Sequence, residues 1–524
     1  MARNKVMRML FRAVAPTTAG ICLWQVQCNF KSSEVEVWCR SLPPFEPNME
    51  VSNWSSTHSV VAGKYYQPET VEELKDIVTI CHATGQKIRP AGAMLSPNGI
   101  SLSTDAMVSL SRLDKVLEVD PKGQTITVQA GIKVSQVLEE LRKHGLTLQN
   151  FSSIQDQQMG GWTQVAAHGT GATLPTVEEM IVRMKLVTPS LGELELSEQH
   201  EPELFQMAKV GLGCLGIVSE MTLRCIPQHK LLETTYVTDI AGIKKDHEEL
   251  LRKYRHVRYM WLPRTGKVVV VVSNPHAGGQ PLLQKVSEDP TLPMRQLLSK
   301  KVGVPAGESE GLSFAQLRDA LLDLNPLDTA HVDEVNRAEA EFWQRNSAQR
   351  LSDSTEVLGF ECGGSQRVLE VAFPIKTPLA DIEFMEKVLA VIEARGIPAP
   401  APLEQRWTAR SQAPMSPAFS PTPGDPFSWV GIIMYNTPGQ DEQGLEKVAK
   451  AFKSYCAALE GVHQEYGAVP HWAKVEPCDD PAAAQRLRDR LEARYPIAKF
   501  KYMRAQLDPK NILSNDLIER VIGH

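Results

Sequence analysis

The sequence predicts an α+β protein, and three observations carry that expectation. Between residues 50 and 228, short strands alternate with amphipathic helices. After Pro227 the texture changes to strands separated by single helices, among them a valine-rich run over 267–273, which suits an antiparallel sheet. Several loops in the first part consist almost wholly of small residues. A chain of 524 residues has room for two or three domains. The expected division is a basic segment over 1–45, a first domain over 50–228, a second over 229–475, and a C-terminal segment over 476–524 that packs back near the first.

Taken in order, the N-terminus carries Arg3, Lys5, Arg8 and Arg12 with no acid before Glu34, and Met7, Leu10, Phe11 and Val14 share a helix face. This resembles a mitochondrial presequence. The run 13–28 is interrupted by Pro16, Gln25 and Gln27, so it is a weak spanning segment. Cleavage and retention as an anchor both stay open.

Val71, Leu74, Ile77, Val78 and Cys81 then recur at helix spacing, with Gly85 as the stop. Strands are expected at 87–89, 107–110, 115–119 and 124–130, and a helix over 134–144. Further on, 202–210 reads as a helix and 217–225 as a strand. In the second half, helices are expected at 243–254, 332–349 and 379–395, and strands at 267–273, 367–373 and 430–435. Residues 274–330 are poorly patterned and read as a long loop region, and 414–426, with five prolines, reads as another.

Two glycine-rich blocks stand out. Residues 87–99 run from a short strand into a loop, Ala91-Gly92-Ala93-Met94-Leu95-Ser96, whose small side chains let backbone N–H groups converge on an anion. A pyrophosphate cradle and an ordinary turn both fit. Residues 160–172 contain Gly160, Gly161 and then His168-Gly169-Thr170-Gly171. His168 alone suits a hydrogen-bonded core or loop histidine better than a catalyst. Gly211-Leu212-Gly213-Cys214-Leu215-Gly216 matches G-x-G-x-x-G, but a helix precedes it and a strand follows, the reverse of the dinucleotide fingerprint. No P-loop motif occurs.

The net charge of −6 argues against nucleic acid as a partner. Nine cysteines, an odd number without any C-x-x-C pair, argue against a disulfide framework or a zinc site, and no metal is expected.

Five ordered stretches resemble one family. They are 89–92 with 95–99, 145–151, 167–172, 404–408 and 470–474. Together they are similar to the galactonolactone dehydrogenases, the aldonolactone-oxidising branch of the vanillyl-alcohol-oxidase flavoproteins. The resemblance implies a PCMH-type FAD-binding domain followed by an α+β cap with an antiparallel sheet. It implies that Arg89, Pro90, Ala91, Gly92, Ala93, Met94, Leu95 and Ser96 bind FAD, the loop 91–96 holding its pyrophosphate by backbone N–H groups. Gly160, Gly161, His168, Gly169, Thr170 and Gly171 would line the flavin, and Gly216, Ile217 and Val218 would reach the adenine side. Relatives with a covalent flavin carry histidine where this chain has Leu95, so non-covalent FAD is expected. Ser152 stands where plant relatives have an alanine that blocks oxygen.

For the chemistry, Glu404 and Arg406 are two apart and share one face of a strand. Spacing alone favours a surface ion pair, since such pairs are common. The resemblance instead makes them catalytic groups, Glu404 binding substrate hydroxyls and Arg406 stabilising negative charge, with His471 and Lys474 nearby. His471 could take the hydroxyl proton or pack beside Trp472. The implied activity is oxidation of L-galactono-1,4-lactone to L-ascorbate with cytochrome c as acceptor, on the intermembrane-space side of the mitochondrial inner membrane. Respiratory complex I is an implied partner. A non-catalytic complex I scaffold and an oxygen-using lactone oxidase remain the alternatives.

Overall fold

The computed structural model describes residues 43–279, 289–303, 305–360, 364–476 and 479–523. The basic segment expected over 1–45 lies almost wholly outside these residues. The first half is built on two main sheets, with a short two-stranded pairing of Leu146–Thr147 and Ile226–Pro227 beside them. One is four-stranded in the order β1-β2-β4-β3, from β1 (Phe45–Ser52), β2 (Ser59–Tyr66), β3 (Arg89–Ala91) and β4 (Ala106–Ser109). Its last three strands run parallel, joined through helix α1 (Val71–Thr84). Thr70 caps that helix, and Gly85 ends it at φ 71° while donating to Cys81 and His82 carbonyls. The other sheet is five-stranded and antiparallel, ordered β5-β6-β9-β7-β8, from β5 (Val116–Asp120), β6 (Thr125–Gln129), β7 (Ile181–Thr188), β8 (Gly192–Ser197) and β9 (Ile217–Arg224). Helix α2 (Pro202–Lys209) precedes β9, so the G-x-G-x-x-G stretch does sit between a helix and a strand.

The second half is built on one eight-stranded antiparallel sheet. Its strands are β10 (Lys230–Asp239), β11 (His256–Leu262), β12 (Lys267–Pro275), β13 (Ala348–Asp353), β14 (Gln366–Pro374), β15 (Leu403–Ala409), β16 (Pro426–Tyr435) and β17 (Val469–Pro470), in the order β13-β10-β12-β11-β15-β16-β14-β17. Strand alternation splits it into two faces. Tyr259, Trp261, Val268, Val270, Val272, Leu403 and Trp407 point into a core under helices Ile240–Lys253, Ala380–Ala394 and Glu442–Ala458. Met260, Val269 and Val271 point the other way.

Residues 274–330 correct the expectation of a long loop. They contain helices α3 (Leu292–Val302) and α4 (Phe314–Leu324), followed by α5 (Thr329–Arg345). The Pro and Gly that read as loop signals are helix punctuation. Pro293 sits in the first turn of α3, Gly303 closes it at φ 75°, and Ser313 with Gln316 forms a capping box on α4.

Candidate functional site

A groove runs between the two glycine-rich blocks. It is lined by 89–96, Gln157, Gln158, Gly160, Gly161, Leu212, Gly213 and 216–218. Among the described residues, no hydrogen bond within the protein takes the amide N–H of Ala93, Met94, Leu95 or Ser96. Met94 adopts φ 55°, which turns consecutive N–H groups toward one concave side. Gln158 adds a buried Oε1 without a partner, an acceptor that suits a hydroxyl rather than a phosphate, 3.4 Å from where a Cβ on Gly92 would lie. Gly213, at φ 66°, lets the loops close up, since a Cβ there would meet Pro90 at 2.8 Å. Unclaimed amides around a channel of this kind fit a bound pyrophosphate.

Arg89 lines the groove, but its guanidinium is committed to the protein. It donates to the carbonyls of Ile100 (2.7 Å), Leu212 (2.6 Å) and Leu513 (2.7 Å). It therefore sets the loop's position rather than offering charge to a cofactor.

The groove shares Leu95, Ser96, Gln157 and Val165 with a cavity of about 830 Å³ floored by the large sheet. Glu404 and Arg406 on β15 both face this cavity, as do Ser152, His168, His471 and Lys474. At their centre is a residue the sequence reading missed. Glu370, in the middle of β14, is 2% exposed, and its Oε1 accepts from Arg406 Nη2 at 2.7 Å. Its Oε2 accepts from Lys474 Nζ at 2.5 Å and lies 3.1 Å from His168 Nε2. Its backbone carbonyl accepts from the His471 N–H at 2.9 Å. Burial pushes the Glu370 carboxyl up, but Lys474, His168 and Arg406 outweigh it and hold it well below the usual carboxylate range. The signal in the sequence was an acid set among apolar neighbours, with Val368 and Leu369 before it and Val371, Ala372 and Phe373 after it.

Arg406 is 7% exposed and also lies 3.3 Å from Glu404 Oε2 through its Nε. Arg258 approaches Glu404 Oε1 at 3.6 Å and stacks on Phe360. Gly431, opposite Glu404 in the sheet, leaves the floor clear between Glu404 and Glu370. His471 Nδ1 accepts from the Ala473 N–H at 3.1 Å, which leaves the ring's proton on Nε2. Burial, then Lys474, keeps His471 well below its ordinary pKa, so it is a neutral donor. His168 is also lowered, by burial first, and it stacks on Trp429 at 3.8 Å.

His168, Glu370 and His471 converge closely enough to suggest a metal site, but Arg406 and Lys474 already neutralise that carboxylate and would repel a cation. Gly169, Thr170 and Gly171 are not on the cavity wall. Thr170 donates to the Val257 carbonyl, and the Gly171 N–H donates to the Trp407 carbonyl at 2.7 Å, so they join the first half to the large sheet. Ser152 is pinned, donating to Gln157 and accepting from Trp162 Nε1 at 2.9 Å.

Leu95 stands where groove and cavity meet and carries no nucleophilic atom. Acid or denaturant is therefore expected to release all the yellow colour. Flavin fluorescence that stays with the denatured band on a gel would refute this.

Two family models match the chain. One, described as an FAD binding domain, matches residues 63–196, and one described as D-arabinono-1,4-lactone oxidase matches 221–521. The L-galactono-1,4-lactone dehydrogenase of Arabidopsis thaliana, described as mitochondrial, is 43% identical over 94% of this chain and 84% of its own length. A rice relative of the same description is 44% identical over 90% and 83%. The L-gulonolactone oxidase of Mus musculus is 27% identical over 90% and 98%. The fold is shared with cholesterol oxidase from B. sterolicum, at a TM-score of 0.74 and 16% identity over 96% of this chain and 100% of that one. The chain thus has a PCMH-type FAD-binding domain joined to a cap built on an antiparallel sheet, and it belongs to the L-galactono-1,4-lactone dehydrogenase family of FAD-dependent aldonolactone oxidoreductases.

Proposed function

We propose that the chain oxidises L-galactono-1,4-lactone to L-ascorbate and passes the electrons to cytochrome c, in mitochondria at the inner membrane. The supporting observation is Glu404 and Arg406 side by side on the cavity floor, anchored through Glu370 beside the FAD groove. The names of the plant relatives supply the substrate and the compartment. Association with complex I belongs to the same reading. No described helix is long and apolar enough to cross a membrane.

Bound FAD supplies the hydride acceptor for the C2–H bond of the lactone. The remaining work falls to this chain. Glu404, one-quarter exposed, accepts hydrogen bonds from the lactone hydroxyls and is the open carboxylate that takes the O2 proton. Arg406 donates to the lactone carbonyl and stabilises negative charge as the 2-keto product enolises. Glu370 holds Arg406 and Lys474 in place. With Arg258 included, the cluster carries three cations against two carboxylates, a bias toward anionic species. A scaffold role alone would not require this pairing.

The test is anaerobic addition of galactonolactone, followed by air or cytochrome c. Bleaching followed by rapid reoxidation with cytochrome c and slow reoxidation in air is expected. No bleaching with galactono- or gulono-lactone would sink the proposal. Ser152→Gly, which removes side-chain volume beside the cavity, is expected to speed reoxidation by air. Ser152→Ala keeps the Cβ and is expected to stay slow. Equal rates in all three proteins would show that position 152 is no gate.

A further inference from the structure

The cavity floor is much longer than an aldonolactone. Arg406, Arg258, Val271, Thr235 and Ala348 are directly opposed neighbours across β15, β11, β12, β10 and β13, and all five face the cavity. At about 4.8 Å per strand spacing, the row extends roughly 19 Å from Arg406. A six-carbon lactone, spanned by about five C–C bonds of ~1.5 Å, covers less than about 8 Å. A lactone held by Glu404 and Arg406 fills only the inner end.

The outer end is built from different material. Helices α4 and α5 roof it with Phe314 and Trp343, two aromatic side chains that are only partly buried. Trp343 is fixed by its Nε1–H, which donates to Glu339 Oε1 at 3.2 Å, and Glu339 is itself 2% exposed. Around them stand Glu233 and Arg350, paired at 2.7 Å, with Asn346 and Gln349. Flat aromatic surface beside amide and charged groups suits a ring that is apolar on its C–H faces and hydroxylated at its edge.

We propose that this outer end is a second sugar-ring subsite, so that the enzyme accepts aldonolactones glycosylated on the exocyclic tail, the added ring lying on Trp343. The oxidation itself is unchanged, because the lactone still sits over Glu404 and Arg406. The inference rests on the inner end being the lactone site, and two measurements separate them.

The first compares the holoenzyme's turnover of galactonolactone with that of its 6-O-glucosyl derivative. The glucosyl compound is expected to be oxidised with a kcat within about threefold and a KM no higher. Trp343→Ala is expected to raise its KM about tenfold, leaving plain lactone within twofold. Asn346→Ala, at the rim, is expected to act the same way more weakly, and it guards against a folding defect in the tryptophan variant. A glucosyl lactone that is neither oxidised nor inhibitory would overturn the proposal, as would a Trp343→Ala protein that loses both substrates equally. The second is calorimetric titration with methyl glucoside, which has no lactone. Millimolar binding that disappears in Trp343→Ala supports the subsite even if galactonolactone fails as a substrate, a result that would fall on the inner end alone. No binding to the wild type overturns it.

Discussion

Arg406→Ala is expected to lower turnover of galactonolactone with cytochrome c by roughly 100- to 1,000-fold, the effect of removing one donor aimed at developing negative charge, about 2.7–4 kcal/mol. The guanidinium is nearly buried and fixed from two sides, by Glu370 at 2.7 Å and Glu404 at 3.3 Å. It costs little reorganisation during the reaction, which is what makes such a donor effective. Glu404→Ala should lower kcat too, by roughly 100-fold or more, because it removes the group that takes the O2 proton, and raise KM through the lost hydroxyl contacts. The flavin-to-protein absorbance ratio should not move in either variant, because the groove amides belong to residues 93–96. An Arg406→Ala protein that keeps its flavin and loses less than about fivefold, or ~1 kcal/mol, would show that Arg406 is not the stabilising group.

The second large effect is on stability. Glu370→Gln keeps the shape of the side chain and removes its charge, leaving Arg406 and Lys474 without their shared counter-ion. Breaking a buried pair in this way typically costs about 3–5 kcal/mol. The sign of the pH dependence follows from the direction of the shift. A carboxyl held below its unfolded pKa contributes fully above the ordinary carboxylate range and loses that contribution as pH falls through its lower folded value. Denaturant unfolding should therefore separate wild type and variant fully at pH 7, and the gap should close only in strong acid. A gap of under ~1 kcal/mol at pH 7 would mean that Glu370 does not hold the cluster together.

Much of this was legible in the sequence, because periodicity reports burial. The strand at 403–409 showed by alternation that Glu404 and Arg406 share a face while Leu403 and Trp407 share the other, and the folded sheet has that arrangement. The small-residue loops announced close backbone approach. What was not legible depends on partners far apart in the chain. Glu370 looked like an isolated acid, since His168, Arg406 and Lys474 lie on three other segments. Arg89 looked like a ligand to the cofactor, because nothing local shows that carbonyls at 100, 212 and 513 claim its donors. The region 274–330 was misread because proline and glycine mark helix ends as readily as loops.

The reach of Arg89 to Leu513, 424 residues downstream, bears on when the protein can mature. The same strand is tied to that distant segment by the Ile88 N–H on the Ile512 carbonyl, and Asn515 donates to the carbonyls of Gly99, Ile100 and Leu102. At about 5–20 residues per second, a ribosome needs roughly 20 to 85 s to pass from Arg89 to Leu513. During that interval the nascent loop lacks its brace. The groove is therefore expected to take up its prosthetic group only once synthesis has passed residue 513.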